Sequence, residues 1–292
     1  MSEVPGVSAA ATQVRFHLPA APLRELITAY YVVEVPPGHD LVDYLHPEWA
    51  NIRFVLAGDW GWSVQGAPPW RAQRGALFGP TDRTATITAS GGLLIGVGLL
   101  PLGWARLVAE DAGLYANRGV DLEGVLPGAD ALWEDLMGRD EVEQVVRLDA
   151  YFSARLVESK APDPVIAQAH RALMVGDIGD VESFAAEVGL PVRSLQRLCR
   201  KTFGFAPKPL LRRQRFLRTL DQISRATDRP LSEVLDVGYY DQAHFIREFR
   251  SFMGMTPTAY FALPREVLRR AAAERTRVVG ASLQGLHEAP ER

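Results

Sequence analysis

A single cysteine, Cys199, stands among 292 residues, which excludes a disulfide framework and any thiolate-rich zinc or iron–sulfur site. The six histidines, His17, His39, His46, His170, His244 and His287, never fall four residues apart, so no two imidazoles share a helix face as a helical metal site requires. Neither a metal nor a cofactor is expected. Long apolar runs are also scarce. Thr84 to Ala105 carries no charged side chain and approaches bilayer length, but five glycines and Pro101 divide it into a polar alternating strand, a buried strand and a proline-led helix start. Met1 to Ala11 has no basic cluster ahead of an apolar core and reads as a disordered leader rather than a signal peptide. A soluble cytoplasmic protein without a membrane partner is expected. Catalytic signatures are scarce as well: there is no Gly-x-Ser-x-Gly elbow, no paired-His metal spacing, and no glycine-rich phosphate loop opening a helix. The chain is therefore read as a non-enzyme.

Acidic residues are missing from one stretch in particular. The formal net charge is −3, yet residues 1–160 hold 12 Lys/Arg against 20 Asp/Glu, whereas residues 161–292 hold 20 against 15. Between Val188 and Leu220 nine basic residues, Arg193, Arg197, Arg200, Lys201, Lys208, Arg212, Arg213, Arg215 and Arg218, occur with no acidic one. Solvated helix faces usually mix signs to gain pairs one turn apart, and here no local partner exists. The stretch has the footprint of a polyanion binder, and contact with phosphates is the reading it favours.

Two halves follow from the pattern. In the first, Ala29 to Val35, Ile52 to Leu56, Gly61 to Gln65, Gly75 to Phe78 and Leu93 to Leu100 are β-branched or aromatic runs separated by Pro-Pro-Gly, Gly-Asp and Gly-Pro turns. Helical patterns follow at Leu102 to Ala109, Gly128 to Met137 and Asp140 to Val157. This half is α+β, a short-strand sheet or barrel with helices. Two prolines at Pro162 and Pro164 disfavour continuing the preceding helix and place a boundary near residue 160. The second half is all-α. The expected division is 1–160 as an N-terminal α+β domain, 161–264 as a helical domain, and 265–292 as a tail.

Within the second half a supersecondary unit is used twice. Asp180 to Pro207 and Pro230 to Pro257 each contain a short helix ending at Gly189 or Gly238, a second helix, and a Gly-x-x-Pro close. Leu195/Phe245, Arg197/Arg247 and Cys199/Phe249 are all fifty residues apart. In unit one, Phe184, Ala185 and Val188 form the first helix's apolar stripe, Asp180 is its N-cap, and Leu195, Leu198 and Cys199 face it from the second helix. What remains on that helix is Arg193, Gln196, Arg197 and Arg200, long donors suited to purine edges and phosphates. In unit two, Leu231, Val234 and Leu235 pack the first helix, and Asp241 caps a second that buries Phe245, Phe249 and Phe252 and displays Gln242, Ala243 and Arg247. Pro209 to Arg225 spans about 25 Å as a helix, which would set the two readers near one DNA turn apart.

These residues carry a family resemblance. Val165 to Ala262 resembles the bipartite DNA-binding domain of the AraC/XylS transcriptional regulators, most plainly from Pro230-Leu231-Ser232-Glu233-Val234 through Gly238-Tyr239-Tyr240-Asp241-Gln242-Ala243-His244-Phe245 to Gly254-Met255-Thr256-Pro257. It implies two major-groove helices, with contacts at Arg193, Gln196 and Arg197 in one and Gln242, Ala243 and Arg247 in the other. Arg200, Lys201, Lys208, Arg212 and Arg250 complete the expected DNA-binding set. Three positions depart from the family pattern: Pro191 stands where Ser or Thr usually caps, Cys199 where Phe is usual, and Leu235 where a small residue is common. Gly75-Ala76-Leu77-Phe78-Gly79-Pro80, with the Leu94 to Val97 strand and Pro101-Leu102-Gly103, resembles an AraC-associated N-terminal domain, which implies effector sensing or dimerisation for 1–160 beside DNA binding for 161–264.

The expected function is thus a sequence-specific transcription regulator on double-stranded DNA. A small-molecule effector, RNA polymerase and a second copy of the chain are the further partners such a protein would meet. The competing reading is a DNA-binding module fused to an alkyl-transfer enzyme, for which Cys199, among many arginines, would be the nucleophile. A buried core thiol is the reading its place in the pattern favours.

Overall fold

The computed structural model describes residues 11–161, 163–175, 178–225, 239 and 241–288. The N-terminal half is a seven-stranded antiparallel sheet: β1 (Gln13–His17), β2 (Ile27–Leu45), β3 (Asn51–Val64), β4 (Trp70–Ala72), β5 (Gly75–Phe78), β6 (Ala85–Leu99) and β7 (Gly119–Asp121). Its order is β1-β2-β6-β3-β5-β7, with β4 on β3.

Three strands are longer than the sequence pattern suggests. The runs expected at 52–56 and 61–65 are one strand, β3, and the two expected across 84–100 are one strand, β6. β2 continues through Pro36-Pro37-Gly38, with a register shift between Val35 and Asp40. The glycines read as breaks act as bends within paired strands. Gly92 sits at φ +131°, and a Cβ there would fall 2.4 Å from the carbonyl oxygen of Ala57.

Each face of the bent sheet is covered. One buries Ile52, Phe54, Leu77, Ile95 and Val97 against helices α1 (Pro101–Gly103), α2 (Ala112–Tyr115), α3 (Ala129–Leu136) and α4 (Glu141–Glu158). The helix expected at 102–109 is α1 followed by a π turn, Trp104–Val108, which stops at Ala109 in the left-handed region at φ +63°.

The other face buries Phe16, Tyr31, Trp62, Phe78 and Ile87 beneath a helix from the far end of the chain. Residues beyond 264 form this helix, and its partner is the N-terminal sheet. After α5 (Val165–Val175), α6 (Val181–Val188), α7 (Val192–Phe203), α8 (Pro207–Arg225), α9 (Gln242–Met253) and α10 (Pro257–Ala262), helix α11 (Glu266–Val279) lies across β1 and β2. Its N-cap residue, Arg265, is left-handed at φ +47° and supplies no side-chain cap. Asp43 of β2, fully buried, replaces it by accepting from the Leu268 amide at 3.0 Å. Asp43→Ala is expected to cost about 1–2 kcal/mol. It should also raise amide exchange along α11 above that in β6. Equal exchange in both elements would show that Asp43 does not anchor the helix.

Candidate nucleic-acid interface

Unit one is built as its local chemistry dictates. The Asp180 carboxylate accepts from the Ser183 amide at 2.7 Å, Gly189 ends α6 at φ +68°, and Phe184, Ala185, Val188, Leu195 and Cys199 are buried together. Pro191 precedes α7 without a side-chain capping bond. Gly204 then closes α7 at φ +83°. In unit two the Asp241 carboxylate accepts from the His244 amide at 2.6 Å, and Gly254 closes α9 at φ +70°. Phe245, Phe249 and Phe252 form the buried side of α9, with Phe216 of α8 stacked on Phe252 at a centroid distance of 4.7 Å. The first helix of unit two, with Leu231, Val234, Leu235 and Gly238, lies outside the described residues.

Helix amphipathicity decides what is left for solvent. Arg193, Gln196, Arg197, Arg200 and Lys201 of α7, Lys208 at the start of α8, and Gln242, Ala243, Arg247 and Arg250 of α9 are all exposed, whereas Arg212 is half-buried. Between the units runs a groove of about 680 Å³ lined by Gln196, Lys208, Arg212, Arg215, Arg218, His244 and Glu248, among others. Gln196, Lys208 and Arg212 therefore meet in one place, while Arg193, Arg197, Arg200, Lys201, Gln242, Ala243, Arg247 and Arg250 lie off its lining. Arg215, Arg218 and His244 join the groove without belonging to the expected DNA-binding set. The first two belong to the acid-free run, which was the available signal.

The basic run is not wholly free of acidic partners, as its sequence suggests. Glu248, buried on the inner side of α9, reaches across to α8 and accepts from Arg212 Nε at 2.7 Å and Arg215 Nη2 at 3.3 Å. This partner is distant in sequence, and only the packing of α9 on α8 brings it there. Arg213 leaves the surface altogether. Its guanidinium lies over the Trp49 ring at 3.7 Å and donates to the Thr81 carbonyl at 3.1 Å.

Cys199 is fully buried and is the free thiol of the chain. Burial pushes it up to about 12, so at neutral pH it is a protonated, inaccessible core group. Among the described residues no cluster of His, Cys, Asp and Glu could hold a metal ion, and no helix is long and apolar enough to cross a membrane.

Residues 184–262 match the family described as a helix-turn-helix domain. The chain carries an AraC-type helix-turn-helix domain. A helix-turn-helix domain is a DNA-binding unit. The chain is similar in structure to ToxT from Vibrio cholerae, at 10% identity and a TM-score of 0.45, over 80% of this chain and 98% of that one. A ToxT bound to (E)-4-(8-methylnaphthalen-1-yl)but-3-enoic acid aligns at 10% identity and a TM-score of 0.44, over 86% and 98%. The AraC-like transcriptional activator CuxR aligns at 18% identity and a TM-score of 0.25, over 78% and 89%. No curated protein matches the sequence.

The AraC-type domain is fastened to the N-terminal sheet at both units. Trp49, from the turn between β2 and β3, enters the core of unit one and meets Phe203 edge-on at 5.8 Å. For unit two, the Thr84 amide donates to the Phe252 carbonyl at 2.6 Å, and the His46 imidazole is hydrogen-bonded to the Tyr260 hydroxyl.

Proposed function

We propose that this regulator reads a specific duplex by placing α7 and α9 in two successive major grooves, under the control of an effector sensed by the N-terminal domain. The observation that carries the reading is that α7, which leads into α8, and α9, packed on α8 through Phe216 and Glu248, each present an exposed donor-rich face. In this reading Arg193, Gln196, Arg197, Gln242, Ala243 and Arg247 face base edges, and Arg200, Lys201, Lys208, Arg212 and Arg250 face phosphates. Arg212 would use the guanidinium nitrogens that its bond to Glu248 leaves over. Effector control is supported by the contacts that fasten both units to the sheet, since a ligand that shifts the sheet shifts their relative placement.

On a duplex chosen by footprinting, Arg247→Ala is expected to cost about 1–3 kcal/mol of specific affinity, with non-specific binding little changed. Undiminished specific affinity by anisotropy titration would remove it from the base-reading set. Lys208→Ala should instead weaken all duplexes alike and lower the slope of log affinity against log salt by about 1. An unaltered slope would mean that Lys208 meets no phosphate. The alkyl-transfer alternative would need a reachable thiolate at position 199, and the sealed, protonated thiol there argues against it.

A further inference from the structure

Residues 80–84, in the connection between β5 and β6, meet three separate elements of the helix-turn-helix domain. Pro80 lies against Gly204, the residue that closes α7: a Cβ built there would fall 2.5 Å from Pro80 Cγ. The buried Thr81 accepts through its carbonyl from Arg213 Nη1, on α8, at 3.1 Å. Thr84, also buried, donates its amide to the Phe252 carbonyl near the end of α9 at 2.6 Å. Gln65, whose amide donates to the Thr84 carbonyl at 3.0 Å, faces Gly254, the residue that closes α9. Gly204 and Gly254 are equivalent positions of the repeat, so the sheet domain meets both units at the same point of their fold.

The segment is itself held from behind. The Thr81 amide donates to the Glu48 carbonyl at 3.0 Å, and the Glu48 amide donates back to the Thr81 hydroxyl at 2.9 Å. Asn117 accepts from the Asp82 amide at 3.1 Å and donates to the Asp82 carboxylate at 2.9 Å. Just ahead, a Cβ at Gly79 would overlap the Tyr115 carbonyl, so the backbone is pressed against its neighbour with no room to slide. A connection with this many fixed partners moves with the sheet.

Arg213 is a costly residue for its place. It is fully buried, makes no ion pair among the described residues, and keeps Nη2 without a partner. Burial holds it down at about 9, against the pull of Asp82 and Glu48, so it remains a cation at neutral pH. A methionine of similar length would avoid burying that charge. It would not reproduce what Nη1 does, which is to donate to two carbonyls from two connections of the sheet, Thr81 at 3.1 Å and Glu48 at 3.4 Å. Those bonds fix α8 in direction as well as in contact. On α8 alone, unit two is seated through Phe216 and Glu248 and is free to turn about that contact. A third body touching unit one, α8 and unit two at once removes the freedom. We propose that residues 80–84 are a wedge that sets the separation of α7 and α9, with Arg213 as the positioning residue, so that the spacing of half-sites this regulator accepts is fixed from outside its helix-turn-helix domain. The inference rests on the reading of α7 and α9 as major-groove readers and adds what determines the distance between them.

The full-length chain should be titrated by anisotropy on the footprinted duplex, on versions with one base pair added or removed between the half-sites, and on a duplex holding one half-site. One base pair moves a half-site by about 3.4 Å and turns it by about 35°. The parent should lose about tenfold or more in affinity on either altered duplex. Arg213→Met should lose less than about threefold there, while its affinity for one half-site stays within about twofold of the parent's. A residue that merely stabilised the fold would weaken every duplex in proportion. Insertion of one glycine between Asp82 and Arg83 keeps every side chain and should relax the spacing in the same way, so the test does not depend on how Arg213→Met folds. A second readout needs no DNA. Nitroxide labels on Arg197→Cys and Arg247→Cys, exposed and equivalent positions, with Cys199 buried and unlabelled, should show a narrow distance distribution in the parent by pulsed electron paramagnetic resonance. Either variant should broaden it. The wedge is overturned if the parent tolerates the altered duplexes, if a folded variant keeps the parent's spacing preference, or if the label distances stay as narrow in the variants. A parent that prefers no duplex removes the major-groove reading instead, and the label distances then decide whether residues 80–84 hold the units.

Discussion

Stability is expected to fall steeply as pH drops from about 6.5 towards 4, because three histidines are held neutral in the folded protein. Burial lowers His170 to about 3, with smaller contributions from His287 and Arg213. It lowers His46 to about 4, helped by Arg265, and His287 to about 4, helped by Arg275. Each imidazole binds a proton more readily in the unfolded chain, so its contribution is complete above the unfolded pKa near 6.5 and is lost as pH falls towards the folded value. At about 1.4 kcal/mol per pH unit, each histidine accounts for on the order of 3 kcal/mol by pH 4. Asp43 and Glu48 work in the opposite direction, since burial raises both, and they offset part of the loss. Urea midpoints measured at half-unit steps from pH 7 to pH 4 check this. His170→Gln, which cannot take up the proton, should flatten the dependence by about one proton. A variant with the parent's slope would show that His170 is not held neutral. His46 adds a structural consequence. Its hydrogen bond to Tyr260 joins the sheet to unit two, so acid should release that unit as well as lower global stability.

Trp49→Ala is expected to cost about 3–5 kcal/mol and to weaken DNA binding, although Trp49 lies in the N-terminal half and touches no reading face. Its ring is 2% exposed and is packed against three partners: Arg213 at 3.7 Å, His170 at 5.6 Å and Phe203 at 5.8 Å. Removing it opens a cavity in the core of unit one and leaves the buried Arg213 guanidinium without its ring. The substitution should lower Tm and reduce affinity for any duplex that requires both units. Trp49→Phe, which preserves part of the packing and the aromatic face, should recover part of each. A loss below about 1 kcal/mol in chemical denaturation would show that unit one holds its own core.

Trp49 also accounts for an oddity in the repeat. Where unit two has Phe249, in ring contact with Phe216, Phe245, Tyr260 and Phe261, unit one has only Cys199. Read along the chain, the smaller side chain suggests a weaker core. In the folded protein Trp49 belongs to the same buried cluster, so the volume is supplied from outside the repeat. Fifty-residue spacing reveals that two units exist but carries no record of what a distant strand contributes to one of them.

The same division holds for the sheet. Gly75–Phe78 emerges with the boundaries its pattern implies, as α3 and α4 nearly do, because alternation, helical period and caps act within a few residues. The strands β2, β3 and β6 were legible only as fragments. Glycines and prolines that look like stops in isolation become bends once a neighbouring strand holds the register.

From sequence alone came the helix caps at Asp180 and Asp241, the glycine stops at Gly189, Gly204 and Gly254, and the exposed faces bearing Arg197 and Arg247, all products of short-range rules. Tertiary structure alone decided that Glu248 would neutralise part of the basic run, that Asp43 would cap α11, and that Arg213 would donate to the Thr81 carbonyl. Those partners lie tens to hundreds of residues apart, and no local period or capping rule links them. Their pairing follows from how sheet and helices stack, which depends on the whole chain at once.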